Sequence, residues 1–471
     1  MVSGLSACKN SGTDGGNAAD TTTAEVTTTT AKTVAINTET LKEDEETVLD
    51  DIMEQLRDVP QTLKNGTVKW LAHYDLNPGT SGASKSVALE LFEQKYGGKI
   101  EWIPTTWGAR YDDLSVNVLG GNGVDIFPGD DTSNFPRGII SGMFQPVDEY
   151  ADSNSTIWQN TKEAMELLNF NGKHYELITS VTAESIVIYN KATIEANGFD
   201  DPWELYEAGN WNWDTFKSML QEFVDEDNDQ WGIDGFWSEK ALFLSAGVPT
   251  VESDGTDLIC NINDPTVEKA MDFQYDLYQS GLVFPREEFG WAEQPQMMGE
   301  GRQLFYIMGA WAVGGAPETW STAIEPENLG IVPVPSPAGS DPYQVAKLSG
   351  FAICKGAQNP EGAVLYAECD LVSQNDEGAV SIADRKMMDD SKWSQELIDK
   401  NKAINELARK YPVIDLATGC SNDIMSLTTD GGYTVGTRAA LHGVDWASNR
   451  SAIADTVILL VEEVNQELKT K

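Results

Sequence analysis

The sequence predicts an α/β fold built around a mostly parallel sheet. Three observations carry that prediction. Strand-like apolar runs alternate with helix-period segments from residue 67 onward, the strands read as buried, and 471 residues supply more than one hydrophobic core. The last of these makes two domains the natural expectation.

Taken in order, the elements begin with ETVLDDIMEQLRDVP. Val48, Leu49, Ile52, Met53, Leu56 and Val59 recur there at helical spacing, and Pro60 stops the helix. TVKWLAHY reads as the first strand, and SKSVALELFEQKYGG as a helix closed by Gly97. KIEWIPT supplies a second strand, ARYDDLSVNVLGG a second helix and GVDIFP a third strand. A second series runs from SIVIYNKATIEANGF through WDTFKSMLQEFV, VEKAMDFQYDLYQSG and QLFYIMGAW to LGIVPVP. From NPEGAVLYAECDLV onward the chain reads as mainly helical, and no internal repeat is visible.

Composition narrows the function. With 75 acidic against 32 basic residues, the formal charge is −43. Such a surface repels phosphate backbones and anionic headgroups, so nucleic acid and electrostatic membrane binding are poor readings. The charge fits solubility outside the cell or at its surface. No run approaches the length of a membrane-spanning helix. Cys8, Cys260, Cys354, Cys369 and Cys420 form no CxxC and do not cluster with the three histidines, which argues against structural zinc. Pairing among the last four stays open, with buried free thiols the simpler expectation.

At the N-terminus, Leu5-Ser6-Ala7-Cys8 resembles a bacterial lipobox, in which the chain is cut before a lipid-modified cysteine. KNSGTDGGNAADTTTAEVTTTT follows, too poor in apolar surface to offset ordering entropy, as expected of a disordered tether. No basic n-region or apolar h-region precedes Leu5, so this reading expects the native precursor to extend further upstream.

Five segments in order resemble the bacterial extracellular solute-binding protein family 1, the sugar-capturing lipoproteins of ABC importers that include the maltose-binding type. They are VDIFPGDDTSNFPRGIISGMFQPVDEY, beginning near Asp125, and FNGKHYELITSVTAESIVIYNKATIEANGF, with Tyr189-Asn190-Lys191 at its core. DDPWELYEAGNWNWDTF, GRQLFYIMGAWAV and LGIVPVPSPAG with KLSGFAICKGAQNPEGAVLYAE complete the set. The similarity spans roughly residues 66 to 465. It implies a type II periplasmic-binding-protein-like α/β fold, in which crossover strands join two lobes and a ligand cleft lies between them. The crossings fall near residues 181–185, 348–352 and 411–416. Residues 1–65 would then be lipobox remnant, tether and short helix, residues 66–182 plus 352–411 lobe one, and residues 183–351 plus 412–471 lobe two. The implied protein is a monomeric receptor without cofactor, lipid-anchored through Cys8 at the extracellular face of the membrane. It would close on a carbohydrate and deliver it to the transmembrane subunits of an ABC permease.

Sugars present an apolar face and a rim of hydroxyls, so their sites combine aromatic plates with planar hydrogen-bonding groups. Trp311, in MGAW, falls where the family places a stacking tryptophan; without that likeness it reads as core. Asp130 and Asp131 follow a strand end, where open α/β sheets bind ligands, although Asp and Gly are also ordinary turn residues. His73, Tyr74 and Asp75 follow strand one, Trp107 follows strand two, and Glu184 lies at the first crossing. Trp237 follows GIDGF, and Tyr433 and Arg438 precede the C-terminal helix. For these, packing or exposure competes with binding. Asp225, Asp227 and Asp229 alternate as in a calcium loop, but Gln230 and Phe236 stand where such a loop needs glycine and glutamate. Those departures favour a solvated acidic turn and no metal.

Two other functions compete. A receptor of the same fold for a non-sugar solute would suit the acidic charge if its ligand were cationic. A secreted glycoside hydrolase needs only paired carboxylates, which composition cannot exclude. With no GxSxG, HExxH or P-loop in the sequence, other motif-bearing enzymes drop out, and the reading is a binding protein without catalysis.

Overall fold

In the computed structural model, which describes residues 43–78, 85–129, 134–235, 237–291, 294, 296–309, 324–391, 393–428 and 435–470, local chemistry sets many element boundaries. The Ser86 side chain accepts from Leu89 N at the start of helix Val87–Tyr96, and Gly97 ends it in the left-handed region (φ 64°). Asn212 accepts from Asp214 N and Thr215 N to start Trp213–Phe223. Asp264 and Asn359 cap helices Pro265–Gln279 and Pro360–Asn375, each with proline in the first turn. The first helix, Glu43–Met53, covers the start of the expected apolar spacing but ends seven residues before Pro60, so Leu56 and Val59 lie beyond it and Pro60 is not its stop.

Ten strands make the two larger sheets and are numbered in chain order. They are β1 Thr67–Ala72, β2 Lys99–Pro104, β3 Ile126–Pro128, β4 Glu176–Ala183 and β5 Ile186–Asn190. The remainder are β6 Trp231–Asp234, β7 Gln303–Met308, β8 Leu329–Val332, β9 Gln344–Ile353 and β10 Pro412–Val413. The first sheet has the order β10-β9-β3-β1-β2, with β4 also paired to β9; the second has the order β8-β5-β7-β6. β1 is parallel to β2 and β3. β9, however, runs antiparallel to both β3 and β4, and β5 antiparallel to β7 and β8. The expectation of mostly parallel sheets is therefore corrected to mixed sheets. The physical reason is the return of the chain: a strand rising out of the first sheet and one descending into it pair antiparallel.

That pair is the junction of the molecule. β4 and β9 match from Ala183↔Ala346 to Glu176↔Ala352, with an irregularity between Ser349 and Gly350. Gly350 permits it: a Cβ there would sit 2.1 Å from Leu177 O. Asp125, buried at the head of β3, ties three segments together. Its carboxylate accepts from Lys69 N at 2.8 Å, Gln358 N at 2.7 Å and Asn359 N at 2.8 Å. Helix Gln395–Lys410 covers the outer edge of β4, where Asn405 Oδ1 accepts from Ala183 N at 3.0 Å and Arg409 Nη1 donates to Val181 O at 3.2 Å. The same helix bonds to helix Lys191–Ala196, because Glu396 Oε1 accepts from Lys191 Nζ at 2.8 Å and from Lys400 Nζ at 2.7 Å. Cys260, Cys354, Cys369 and Cys420 are free thiols, the last three buried.

Gly350→Ala is expected to cost about 3 kcal/mol, because a backbone carbonyl and not a yielding side chain meets the new methyl group. Urea unfolding measures this; an unchanged midpoint would mean that the ladder shifts freely.

The hydrogen bond from Lys191, joined by that from Lys400, holds the Glu396 carboxyl below its ordinary 4.5, at about 2. A depressed folded value stabilises the protein above the unfolded value and loses that contribution as pH falls. Glu396→Gln should therefore lower the melting temperature modestly at neutral pH, with the gap closing between pH 4.5 and about 2. A gap that stays constant with pH would assign the effect to packing.

Candidate functional site

The C-terminal ends of β1 and β2 bring aromatic groups together. The chain leaves β1 at Ala72, and the His73 ring lies edge-on to Trp107 (centroids 4.9 Å, 85°) and to Tyr74 (4.9 Å, 80°). Tyr74 is anchored from below: its ring lies edge-on to buried Trp70 at 5.4 Å, and its carbonyl accepts from Trp70 Nε1 at 3.0 Å. Trp107 is 52% exposed, so its indole offers a face to solvent. The Arg110 guanidinium lies 3.5 Å from the centroid of that ring and also bonds to Trp107 O. This is a supported aromatic group, one ring face of Trp107 covered by the buried Arg110 guanidinium, at the strand ends where α/β sheets bind ligands.

Asp75 is directed elsewhere. Its Oδ1 accepts from Asn77 N at 3.0 Å and Asn77 Nδ2 at 2.9 Å, a local turn.

A second group forms beyond the crossing. Glu184, whose N donates to Val345 O, is bonded to Lys240 Nζ at 2.8 Å. Lys240 lies on helix Ser238–Leu244, directly after half-buried Trp237, and helix Val435–His442, which carries Arg438, packs against it. Glu184 and Lys240 thus meet from two parts of the chain, Lys240 on a helix that the Arg438-bearing helix packs against. Asp130, Asp131, Trp311, Tyr433 and Cys8 lie outside the described residues.

Three residues escaped the sequence reading. Arg110 sits three positions after Trp107 at a helix start, a spacing that carries no signal until the helix is placed. Lys240 becomes notable only through Glu184. Trp291 is 49% exposed at φ 64°, an uncommon conformation for a bulky residue, with its ring 5.1 Å from that of His442.

In the acidic loop, Asp229 Oδ1 accepts from Trp231 Nε1 at 2.9 Å and Oδ2 pairs with Arg302. Asp225 Oδ2 accepts from Asn228 Nδ2 at 2.7 Å. Among the described residues no group of three or more His, Cys, Asp or Glu is placed to hold a metal ion.

A two-lobe α/β body with crossover strands and ligand-type groups at the strand ends defines a type II binding-protein fold. The chain matches the model of the bacterial extracellular solute-binding protein family over residues 77–369, and belongs to that family. Solved structures agree on the fold. The sugar-binding protein MalE from Xanthomonas citri aligns with a TM-score of 0.61 at 15% identity, covering 86% of this chain and 98% of that one. The galacto-N-biose/lacto-N-biose I-binding protein of a Bifidobacterium longum ABC transporter, in complex with lacto-N-biose, aligns at 0.60 and 12%, covering 84% and 97%. An ABC substrate-binding protein from Listeria monocytogenes in complex with cycloalternan aligns at 0.57 and 14%, covering 83% and 99%. No curated protein matches the sequence. The family and these neighbours are binding proteins rather than enzymes. Among the described residues no helix is long and apolar enough to cross a membrane.

If the acidic loop holds itself together through Arg302, Trp231 and Asn228, excess chelator should leave the melting temperature unchanged. A drop that added calcium restores would overturn that, since a ligand held only by the folded state stabilises it.

Proposed function

We propose that this protein is the carbohydrate receptor of an ABC importer, taking up an oligosaccharide between its two lobes and handing it to a membrane permease without chemical change. The observation that carries the reading is the half-exposed Trp107 indole, packed edge-on against His73, which Tyr74 supports in turn, with Arg110 over one ring face, in a member of the solute-binding family. Stacking on a ring face and hydrogen bonding from planar polar groups are what a pyranose requires. The Glu184–Lys240 pair adds an acceptor and a donor from the far side of the crossing. Sugar complexes among the structural neighbours, with lacto-N-biose, cycloalternan and maltotetraose, support the same ligand class.

The lobes are residues 66–182 plus 352–411 and residues 183–351 plus 412–471, and a ligand touching both favours the closed arrangement. Trp311 and one of Asp130 and Asp131 complete the site by their family positions. Cys8 carries the lipid that keeps the receptor at the extracellular face beside its permease, which raises its effective concentration there.

The test is a tryptophan-fluorescence screen against mono- and oligosaccharides, with recovery of the sugar unchanged. For the best ligand, Trp107→Ala and Trp311→Ala should each cost about 1.5–3 kcal/mol, or roughly tenfold to a hundredfold in affinity, at near-normal melting temperature. No saturable sugar, or a sugar returned hydrolysed, defeats the proposal. A large stability loss in Trp311→Ala with undiminished affinity would make that residue core.

A further inference from the structure

Beside β4 lies a cavity of about 650 Å³ that none of the described candidate residues above lines. One wall is the crossing strand itself at residues 180–182. The others come from the start of helix Val87–Tyr96, the end of helix Pro360–Asn375, and helices Glu377–Ser391 and Gln395–Lys410. β4 is the last strand of its sheet beyond β9, and helix Gln395–Lys410 satisfies its edge only in part, through Asn405 and Arg409. A strand edge, three helices and a helix start leave this space polar, and its volume lies in the range of small-molecule sites.

The chemistry of the wall is specific. Most of its charges are paired: Lys402 with Asp384, Arg409 with Glu406 at 2.7 Å, and Lys85 with Glu93 at 2.7 Å, while Lys386 Nζ donates to Lys85 O. Burial pushes the Asp370 carboxyl up, toward its neutral form. Between the pairs stand the uncharged groups of Ser86, Asn160, Ser180, Thr182, Asn401 and Asn405. Thr161 Oγ1 and Asn401 Oδ1 are buried in this wall without a protein hydrogen-bond partner, as groups awaiting water or a ligand are. Among the described residues no aromatic side chain lines the cavity.

We infer that this cavity is a second small-molecule site and that it takes a neutral polyol, a free monosaccharide or sugar alcohol. A hydroxyl is donor and acceptor at once, and amides, hydroxyls and closed ion pairs offer both. An anion entering here meets Asp384 and Glu406, and a cation meets Lys85, Lys386, Lys402 and Arg409, groups already bonded within or beside the wall. A flat apolar ligand finds no plate. The inference does not depend on the strand-end site, because the two share no residue.

The experiment is calorimetric titration of the full chain with glucose, ribose, mannitol and xylitol, and with inorganic phosphate and glucose 6-phosphate as charged controls. Ala383→Trp fills the cavity from helix Glu377–Ser391, and Asn401→Leu removes one of its amides. At least one neutral compound should bind saturably, about tenfold more weakly in either variant and within about twofold of normal in Trp107→Ala. Should Ala383→Trp fail to fold, Asn401→Leu carries the comparison at a checked melting temperature. Three results overturn the inference: no neutral compound binds, every neutral compound is lost with Trp107→Ala and untouched by the cavity variants, or only the phosphates bind.

Discussion

Everything in this molecule hangs on the antiparallel ladder between β4 and β9. Its lower half belongs to the first sheet, where β9 also pairs with β3, and its upper end leads straight into β5 of the second sheet. A ladder carrying both duties cannot slip, because a one-residue shift would turn every buried side chain of both strands outward. Gly350 fixes the register at its tightest point, against Leu177 O. Positions along the ladder then follow. Glu184 emerges one residue past the end of β4, bonded across to Val345 O, and so always stands at the boundary between the sheets. Helix Gln395–Lys410 is drawn onto the exposed edge of β4, and the polar cavity opens where that cover is incomplete.

Much of the fold was legible because its elements announce themselves locally. Caps such as Ser86, Asn212 and Asp264 are chemical signals that act within three residues. Strand direction is not local. Nothing in KLSGFAI says that it runs against its neighbours, since a strand buried on both faces has the same composition in either sense. The antiparallel pairs therefore came only with the structure, and the interleaving of the lobes had to be borrowed from a family likeness.

The site was legible by address and not by state. Strand ends singled out His73, Tyr74 and Trp107 one by one, and the structure groups their rings, but Asp75, one residue further, is spent on Asn77. Tryptophan number alone said little: Trp70, Trp158, Trp211, Trp213, Trp231, Trp393 and Trp446 are all buried, while Trp107 and Trp291 are half-exposed. An indole in a core and one on a plate look the same in a sequence, and only burial separates them. Lys240 matters through Glu184, which lies far away in the chain, and Arg110 through Trp107, close in sequence but stacked only once the helix start is placed.

The acidic balance of the chain also changes meaning at this level. A formal charge of −43 suggests a ligand of opposite sign, yet the inward carboxylates are already satisfied locally. Asp125 is held by three backbone amides, Asp415 by those of Thr250, Val251 and Ala417, and Asp234 by the buried guanidinium of Arg286. Glu184 faces its crossing already paired with Lys240. Carboxylates tied in this way offer a ligand directed lone pairs and not a field. The excess charge belongs to the outer surface, where salt screens it within about 10 Å. Selection inside is then left to stacking and hydrogen-bond geometry, the terms by which an uncharged solute can be told from water.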